Sequence, residues 1–377
     1  MDFTYDSEQK ALRDAVRGLL TKAYDPERRR AVVSDEPGFD SGVWAQLAEM
    51  GVLGLPFSEA DGGMGAGPVE VGLVAEEIGR VIAPEPFVEA VVVAGGLVAD
   101  LGTAEQKAAI IGPLSEGTLI PVLAHTEPGG RWEPVARAVT AREDGGQWRL
   151  SGTKEPVAHG ARADLLIVSA ATPAGTGLFV VDPTTDGVTR TGYALHDGGR
   201  AAQVVLDGAV GTPLGAADVD RAADLEVAQA RAIIIRGQEA VGAMQVALDT
   251  TTAYLTTRKQ FGVTLNKFQA LTFRAADMYV SLELARSIAS WALLVLDSGT
   301  DPREAAARTG FQVGRAGRHI GQEAIQLHGG IAMTAEYSVG HYMSHLTALE
   351  HALGDRRFHL GRLAASVGDH GTVDPLA

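Results

Sequence analysis

Two short strings hold the residues best suited to chemistry. Arg258-Lys259-Gln260-Phe261-Gly262, with Phe268-Gln269 soon after, ends one long helical segment, and Gln326-Leu327-His328-Gly329-Gly330 ends another. Arg258 offers a guanidinium fork that can grip a pyrophosphate through two parallel hydrogen bonds. Gly329 and Gly330 let a ligand approach the backbone closely. Taken singly, each string also reads as an ordinary helix C-cap, at Gly262 and at Gly329.

Other candidate groups carry less. Gly62-Gly63-Met64-Gly65-Ala66-Gly67 has no strand before it and no Lys-Ser/Thr after it, so it reads as an inter-helix loop rather than a phosphate cradle. His341 and His345 have the i, i+4 spacing that can present two imidazoles to one metal, but Tyr342 stands where a metalloprotease carries Glu. His359 would lie about 27 Å further along a straight helix. Packing, capping or interface roles are expected for these histidines, and no metal site. No Ser sits in a nucleophile elbow. The chain contains no Cys, which excludes disulfides, thiolate metal sites and a Cys nucleophile.

The elements that must position these strings fall into three blocks. Residues 1–115 read as an N-terminal helical domain: Ser7 can cap a first helix carrying Leu12, Val16, Leu19 and Leu20, and others follow near Trp44–Met50, Val69–Ile82, Phe87–Leu101 and Ala104–Ile111. Residues 116–213 read as an antiparallel β domain of short strands: 118–125, 138–142, 147–151, 164–170, 177–181 and 203–207. No helical pattern interrupts them, which argues against a parallel dinucleotide-binding sheet. Residues 214–377 read as an up-and-down bundle of four long helices over 218–259, 267–296, 302–328 and 337–367.

Composition bounds the function classes. The 377 residues include 32 Lys and Arg against 47 Asp and Glu, a formal charge of −15 that disfavours nucleic acid and anionic lipid as partners. The most apolar runs, such as Val91–Val98, are too short to cross a bilayer, and the polar first residues do not read as a signal peptide. A cytoplasmic location without membrane attachment is the expectation.

The strings together resemble the acyl-CoA dehydrogenase family along essentially the whole chain. Thr126-Glu127-Pro128-Gly129 is similar to the family's TEPG signature, Gly152-Thr153-Lys154 with Ala163-Asp164 to its next barrel element, and the RKQFG and QLHGG strings to its bundle motifs. The resemblance implies a mainly α fold with a middle β-barrel and a C-terminal four-helix bundle, and FAD held between the subunits of a tetramer. On the side of the neighbouring subunit it assigns the cofactor to Arg258, Gln260, Phe261, Leu265, Gln269, Gln326, Gly329 and Gly330. On the flavin side it assigns Thr126 and backbone groups at Val157. The implied reaction is α,β-dehydrogenation of an acyl-CoA thioester: a carboxylate takes the α-proton while the β-hydride passes to the flavin. An electron-transfer flavoprotein is the implied acceptor.

The chain departs from that pattern where the chemistry is done. The family's two usual positions for the base fall at Ala232 and Leu353, and neither is a carboxylate. The family's Trp-Ile-Thr falls at Pro156-Val157-Ala158. Glu239, two turns from Ala232, and Glu350, one turn before Leu353, are the replacement candidates. The chain is also similar to subunits of actinobacterial α2β2 dehydrogenases acting on steroid side-chain thioesters. In that group one chain brings the base and flavin-ring pocket and the other the adenine-binding bundle. That resemblance implies a homologous partner chain that supplies the Glu. The alternatives are a self-sufficient homotetramer using Glu239 or Glu350, and a non-catalytic scaffold or flavin monooxygenase on the same fold.

Overall fold

The computed structural model describes residues 5–352, 354–369 and 371. The N-terminal block contains α1 (Ser7–Ala23), α2 (Pro26–Ser34), α3 (Ser41–Glu49), α4 (Pro68–Val81), a π-helical turn run over Phe87–Gly95, α5 (Gly96–Leu101) and α6 (Ala104–Ser115). The cap of α1 is Asp6 rather than Ser7: its carboxylate accepts from Gln9 N–H while the Gln9 side chain returns to the Asp6 backbone, a reciprocal capping box. Helix α2 was not foreseen, because Pro-Glu-Arg-Arg-Arg carries almost no apolar periodicity; its Asp25 cap and Pro26 start it instead.

The middle block contains β1 (Pro121–Ala124), β2 (Thr140–Asp144), β3 (Gln147–Ala158), β4 (Leu165–Thr172), β5 (Gly175–Val181), β6 (Val188–Ala194) and β7 (Arg200–Pro213). The pairings run β4–β2–β3–β7–β5 and return to β4, so the sheet closes on itself. The antiparallel expectation holds for most pairs but not all. β1 and β2 both run parallel to β4, because the β2–β3 hairpin lies in the connection between them and lets the chain return in the same direction. β6 escaped the sequence pattern: it is largely exposed and pairs only at its β7 edge.

The bundle contains α7 (Ala222–Thr257), a two-residue hairpin of β8 (Lys259–Gln260) and β9 (Val263–Thr264), α8 (Gln269–Asp297), α9 (Arg303–His328), α10 (Val339–Ala352) and α11 (Arg356–Ala365). The long helix expected over 337–367 is therefore two. Gly354 takes φ +122°, which a helix cannot use, and the Asp355 carboxylate caps α11 at Phe358 N–H, 2.8 Å. Gly79 of α4 and Gly242 of α7 let those helices touch backbone to backbone. A Cβ at Gly79 would meet the Glu239 carbonyl at 1.8 Å, and one at Gly242 the Glu76 carbonyl at 2.0 Å. Helix α8 is, among the described residues, the one helix long and apolar enough to cross a membrane, which corrects the expectation that no apolar segment is long enough. Phe273, Tyr279, Val280 and Leu284 stand exposed on it.

Candidate functional site

A cavity of about 350 Å³ opens where the three blocks meet. The helical block contributes Glu89 and Val93, the barrel Leu123, Thr126, Pro156 and Ala158, and the bundle Gln229, Arg236, Ala348 and Ala352. Alternation along β3 decides which residues face it. Pro156 and Ala158 line the cavity, while the Val157 side chain between them is buried in the barrel core. Only the Val157 backbone remains available to a ligand there. On α7, Gln229 and Arg236 lie one turn to either side of Ala232, so a carboxylate at position 232 would face the cavity. Ala232 itself is fully buried.

Thr126 is positioned by its neighbours. Its carbonyl accepts from Glu155 N–H at 2.8 Å. Next to it Glu127 is a structural tie: its carboxylate accepts from the backbone N–H groups of Arg137, Ala138 and Val139 and from Lys154 Nζ at 2.7 Å. Lys154, fully buried, also donates to the His125 carbonyl and Ser169 Oγ. Burial pulls Lys154 down to about 8, against the opposing pull of Glu127. Burial would push the Glu127 carboxyl up, but Lys154 and the N–H groups of Ala138 and Val139 outweigh it and hold it at about 2.

The carboxylates near the cavity are not free. Glu89 is, among the described residues, the acid that lines it, and it is ion-paired to Arg236. Burial alone would raise Glu89; the charges of Arg236 and His159 and the hydrogen bonds to it together outweigh burial and hold it below the usual carboxylate range. Glu239 lies behind this pair. It is 3.5 Å from Arg236 and accepts from His345 Nε2 at 3.0 Å, while His345 Nδ1 meets Asp197 at 3.0 Å. Burial would lower His345, but the bonds to Asp197 and Glu239 prevail and raise it. His345 is thus a bridge between carboxylates, and His341 turns away to the Ala335 carbonyl. Glu350 lies apart from the 350 Å³ cavity: it lines a crevice against Gly314 of α9, 3.9 Å from Arg356. Leu353 lies outside the described residues.

The charges that cross this junction were missed in sequence. The signal was there: Glu89 interrupts Phe87-Val88 and Ala90-Val91-Val92-Val93, and Arg236 follows Ile233-Ile234-Ile235. A lone charge in an apolar run must find a partner when buried.

The second region is the far end of the bundle. Helix α7 stops at Thr257, two residues before the expected end. The RKQFG string is then a hairpin turn with Phe261 at φ +52° and Gly262 at φ +82°, not a C-cap at Gly262. That turn leaves the Phe261 ring 91% exposed. A bulky residue in left-handed backbone with its ring in solvent is unusual for folding alone. The ends of α7 and α9 meet there, with the Tyr254 and His328 rings 4.5 Å apart. Gly329 does cap α9, as expected, at φ +68°. Nothing stands within 4 Å of the space a side chain would take at Gly329 or Gly330. Arg258, Gln260, Gln269 and Gln326 are all exposed at this end, and Leu265 packs beneath them. Open backbone, an exposed guanidinium and amides fit the pyrophosphate and adenine half of FAD. The barrel fits the ring half less completely, with the Thr126 hydroxyl and backbone as its polar groups at the expected positions.

By contrast the glycine-rich loop has no donors to offer at its centre. The N–H groups of Gly63, Met64, Gly65 and Ala66 all donate to carbonyls at Ser58, Gly54, Phe57 and Leu55.

Comparison with known proteins covers the same three blocks. Residues 6–118 match the acyl-CoA dehydrogenase N-terminal domain, 122–205 the middle domain and 227–368 the C-terminal domain. The chain is 31% identical over 362 residues to acyl-CoA dehydrogenase IpdE2 of Mycolicibacterium smegmatis, covering 96% of this chain and 99% of that one. Its structure is similar to the ChsE4-ChsE5 complex from Mycobacterium tuberculosis, with a TM-score of 0.89, 28% identity, and coverage of 99% and 100%. It is also similar to the Tcur3481-Tcur3483 steroid ACAD, with a TM-score of 0.88, 31% identity, and coverage of 96% and 98%.

Proposed function

Because this chain belongs to the acyl-CoA dehydrogenase family, FAD-dependent oxidoreductases acting on CH–CH bonds, we propose that it works as one chain of an α2β2 assembly whose homologous partner supplies the catalytic carboxylate. The observation that carries this is the state of the cleft: Glu89, the acid that lines it among the described residues, is neutralised by Arg236, and Ala232 occupies the face where a base would act.

The distances support the same reading. Arg236 and Arg258 are 22 residues apart on or just past one helix, about 33 Å at 1.5 Å per residue. That is farther than one extended dinucleotide reaches, so the bundle end serves a cofactor whose ring lies against another subunit. There Arg258 grips the pyrophosphate, Gln326 and the Gly329-Gly330 backbone hold the adenine half, and Phe261 and Gln260 close over it. When bound, FAD supplies the acceptor for the substrate's β-hydride. The α-proton needs a carboxylate in the partner's cleft, and an electron-transfer flavoprotein reoxidises the assembly. The substrate belongs to the acyl-CoA thioesters, with a lipid or steroid acyl group in keeping with the relatives' names.

The test is expression of the chain alone and together with a homologous, carboxylate-bearing chain. The expected result is flavin absorbance and turnover in the mixed assembly, and turnover lost when the partner's carboxylate becomes an amide. A yellow, active homotetramer of this chain alone would overturn the proposal.

A further inference from the structure

The segment between β1 and β2 is a strap across the junction of barrel and bundle. Glu127 closes its two ends on each other: the carboxylate that accepts from Lys154 also takes the backbone N–H groups of Ala138 and Val139, at 2.7 and 3.0 Å, so residues 128–137 stand out as a closed loop. The loop leaves Glu127 through a turn with Pro128 second and Gly129, at φ +77°, third, shut by the Gly130 N–H on the Glu127 carbonyl. Beyond that turn stand Arg131 and Trp132.

The strap is fastened to two walls of the 350 Å³ cavity. On the barrel wall His125 Nε2 meets the Glu133 carbonyl at 2.8 Å. A carbonyl only accepts, so Nε2 carries the proton and Nδ1 is left to accept from the Ser169 hydroxyl. On the bundle wall Trp132 Nε1 donates to the His351 carbonyl at 3.0 Å, and its ring lies 5.3 Å from that of Phe358. His125 and His351 both line the cavity, one from the barrel and one from the bundle.

The landing place is built by the bundle itself. Phe358 opens α11 with its N–H on the Asp355 cap, and the Arg362 guanidinium, paired to Glu226, lies 5.9 Å over its ring. Arg131 lies 5.7 Å over the Trp132 ring in turn. An indole is held best with its ring covered and its N–H bonded, and the seated strap meets both conditions.

Thr126 is the root of the strap and lines the same cavity. It is the flavin-side contact that the family pattern assigns to this chain. A ring set against Thr126 would stand beside the strap, between the two walls that the strap ties together.

We propose that the strap is a latch: with Trp132 seated on the corner between α10 and α11, it shuts the Thr126 edge of this chain's cleft to a body of flavin size. The cleft then stays without flavin while the bundle end serves a neighbour. The inference rests on the reading that the flavin ring lies in the partner's cleft, and it gives that reading a physical cause.

A thiol reporter tests it, because the chain has no Cys of its own. In the full chain carrying Thr126→Cys, labelling rates are read with two maleimides, N-ethylmaleimide and the flavin-sized fluorescein-5-maleimide. The expected result is ready labelling by the small reagent and slow labelling by the large one. Adding Trp132→Ala, or Phe358→Ala from the bundle side, should speed the large reagent about tenfold or more and change the small one less than about twofold, since thiol reactivity follows access. Equal rates for the large reagent with and without these substitutions would overturn the latch. So would a parallel rise for both reagents, which would mean that the barrel edge loosens as a whole. Neither flavin nor partner takes part in this measurement. An open strap therefore leaves the partner-supplied carboxylate standing, whereas the partner reading fails separately, by activity of the chain alone.

Discussion

The cleft and the bundle end treat charge in opposite ways. At the cleft, Glu89, Arg236, Glu239, His345 and Asp197 are buried or half-buried and matched, and the matching ties three blocks of the fold together. At the bundle end, Arg258, Gln260 and Gln326 stand in solvent on a hairpin and a helix terminus that the core does not need. A buried charge is held by the fold, so changing it is felt first in stability. An exposed one is held for a ligand, so changing it is felt first in affinity. The chain has kept the region it shows to a neighbour and given the region it would need alone over to structure.

The largest effect is expected at the cleft's barrel wall. Lys154→Met removes the cation that pulls together Glu127, the His125 carbonyl and Ser169, leaving the Glu127 carboxylate without a countercharge beside Thr126, in the segment that follows β1. Breaking a buried pair from one side costs about 3–5 kcal/mol. Chemical denaturation should show that loss. A change below about 1 kcal/mol would mean the cleft's charges are not structural after all.

The mirror-image substitution is Arg258→Ala. The thermal midpoint of the flavin-free protein should not move, while FAD affinity falls about 10- to 100-fold, the value of one charge-assisted bidentate contact at roughly 1.5–3 kcal/mol. Flavin fluorescence titration of the assembly measures it. Unaltered affinity would remove the bundle end from the cofactor site.

The two regions also differed in how readable they were. The RKQFG and QLHGG strings were visible because ligand contact uses short, local, exposed sequences. Even so the hairpin at Phe261 was hidden, since a two-residue turn competes with a helix C-cap for the same Gly262. The long bundle helices and most barrel strands were legible from apolar period. β6 and α2 were not, because both are held by edge pairing or capping rather than by an apolar face. The cleft network was the least legible: Glu89 and Arg236 are 147 residues apart, and His345 and Asp197 are 148 apart. Only the fold could bring them together.

A smaller effect tests the network through pH. Asp197, which burial would raise but His345 holds at about 2 against a usual 3.8, contributes stability that is present above pH ~4. That contribution is lost as pH falls through about 2. His345 is raised above 6.5, so its contribution is complete below that pH and is lost as pH climbs through its folded value. Stability profiles of the protein and of His345→Gln should converge on the alkaline side and separate on the acid side of neutrality. The separation should be on the order of 1 kcal/mol, one buried hydrogen bond's worth. Their difference isolates His345, since the buried His125 and His159 are common to both. Parallel profiles would place His345 outside the network.

The smallest expected effect discriminates most. Glu350→Gln should leave turnover of the assembly within about twofold, because a general base contributes a factor of about 10²–10⁴ and Glu350 is not among the residues that line the cleft. Its carboxylate lies in a crevice between α9 and α10 near Arg356, and it does not line the cleft. Glu239→Gln should likewise spare turnover, though it weakens the His345 bridge and so destabilises the junction. The pair separates the two readings of this chain cleanly. If its cleft were a complete active site, one of these carboxylates would have to move the α-proton, and its amide would abolish activity with flavin still bound. If the base comes from a partner, both amides turn over and only the melt of Glu239→Gln shifts. Turnover of the assembly, read beside its flavin content, decides between them, and loss of activity in a folded, flavin-loaded Glu239→Gln would return the cleft to this chain's own catalysis.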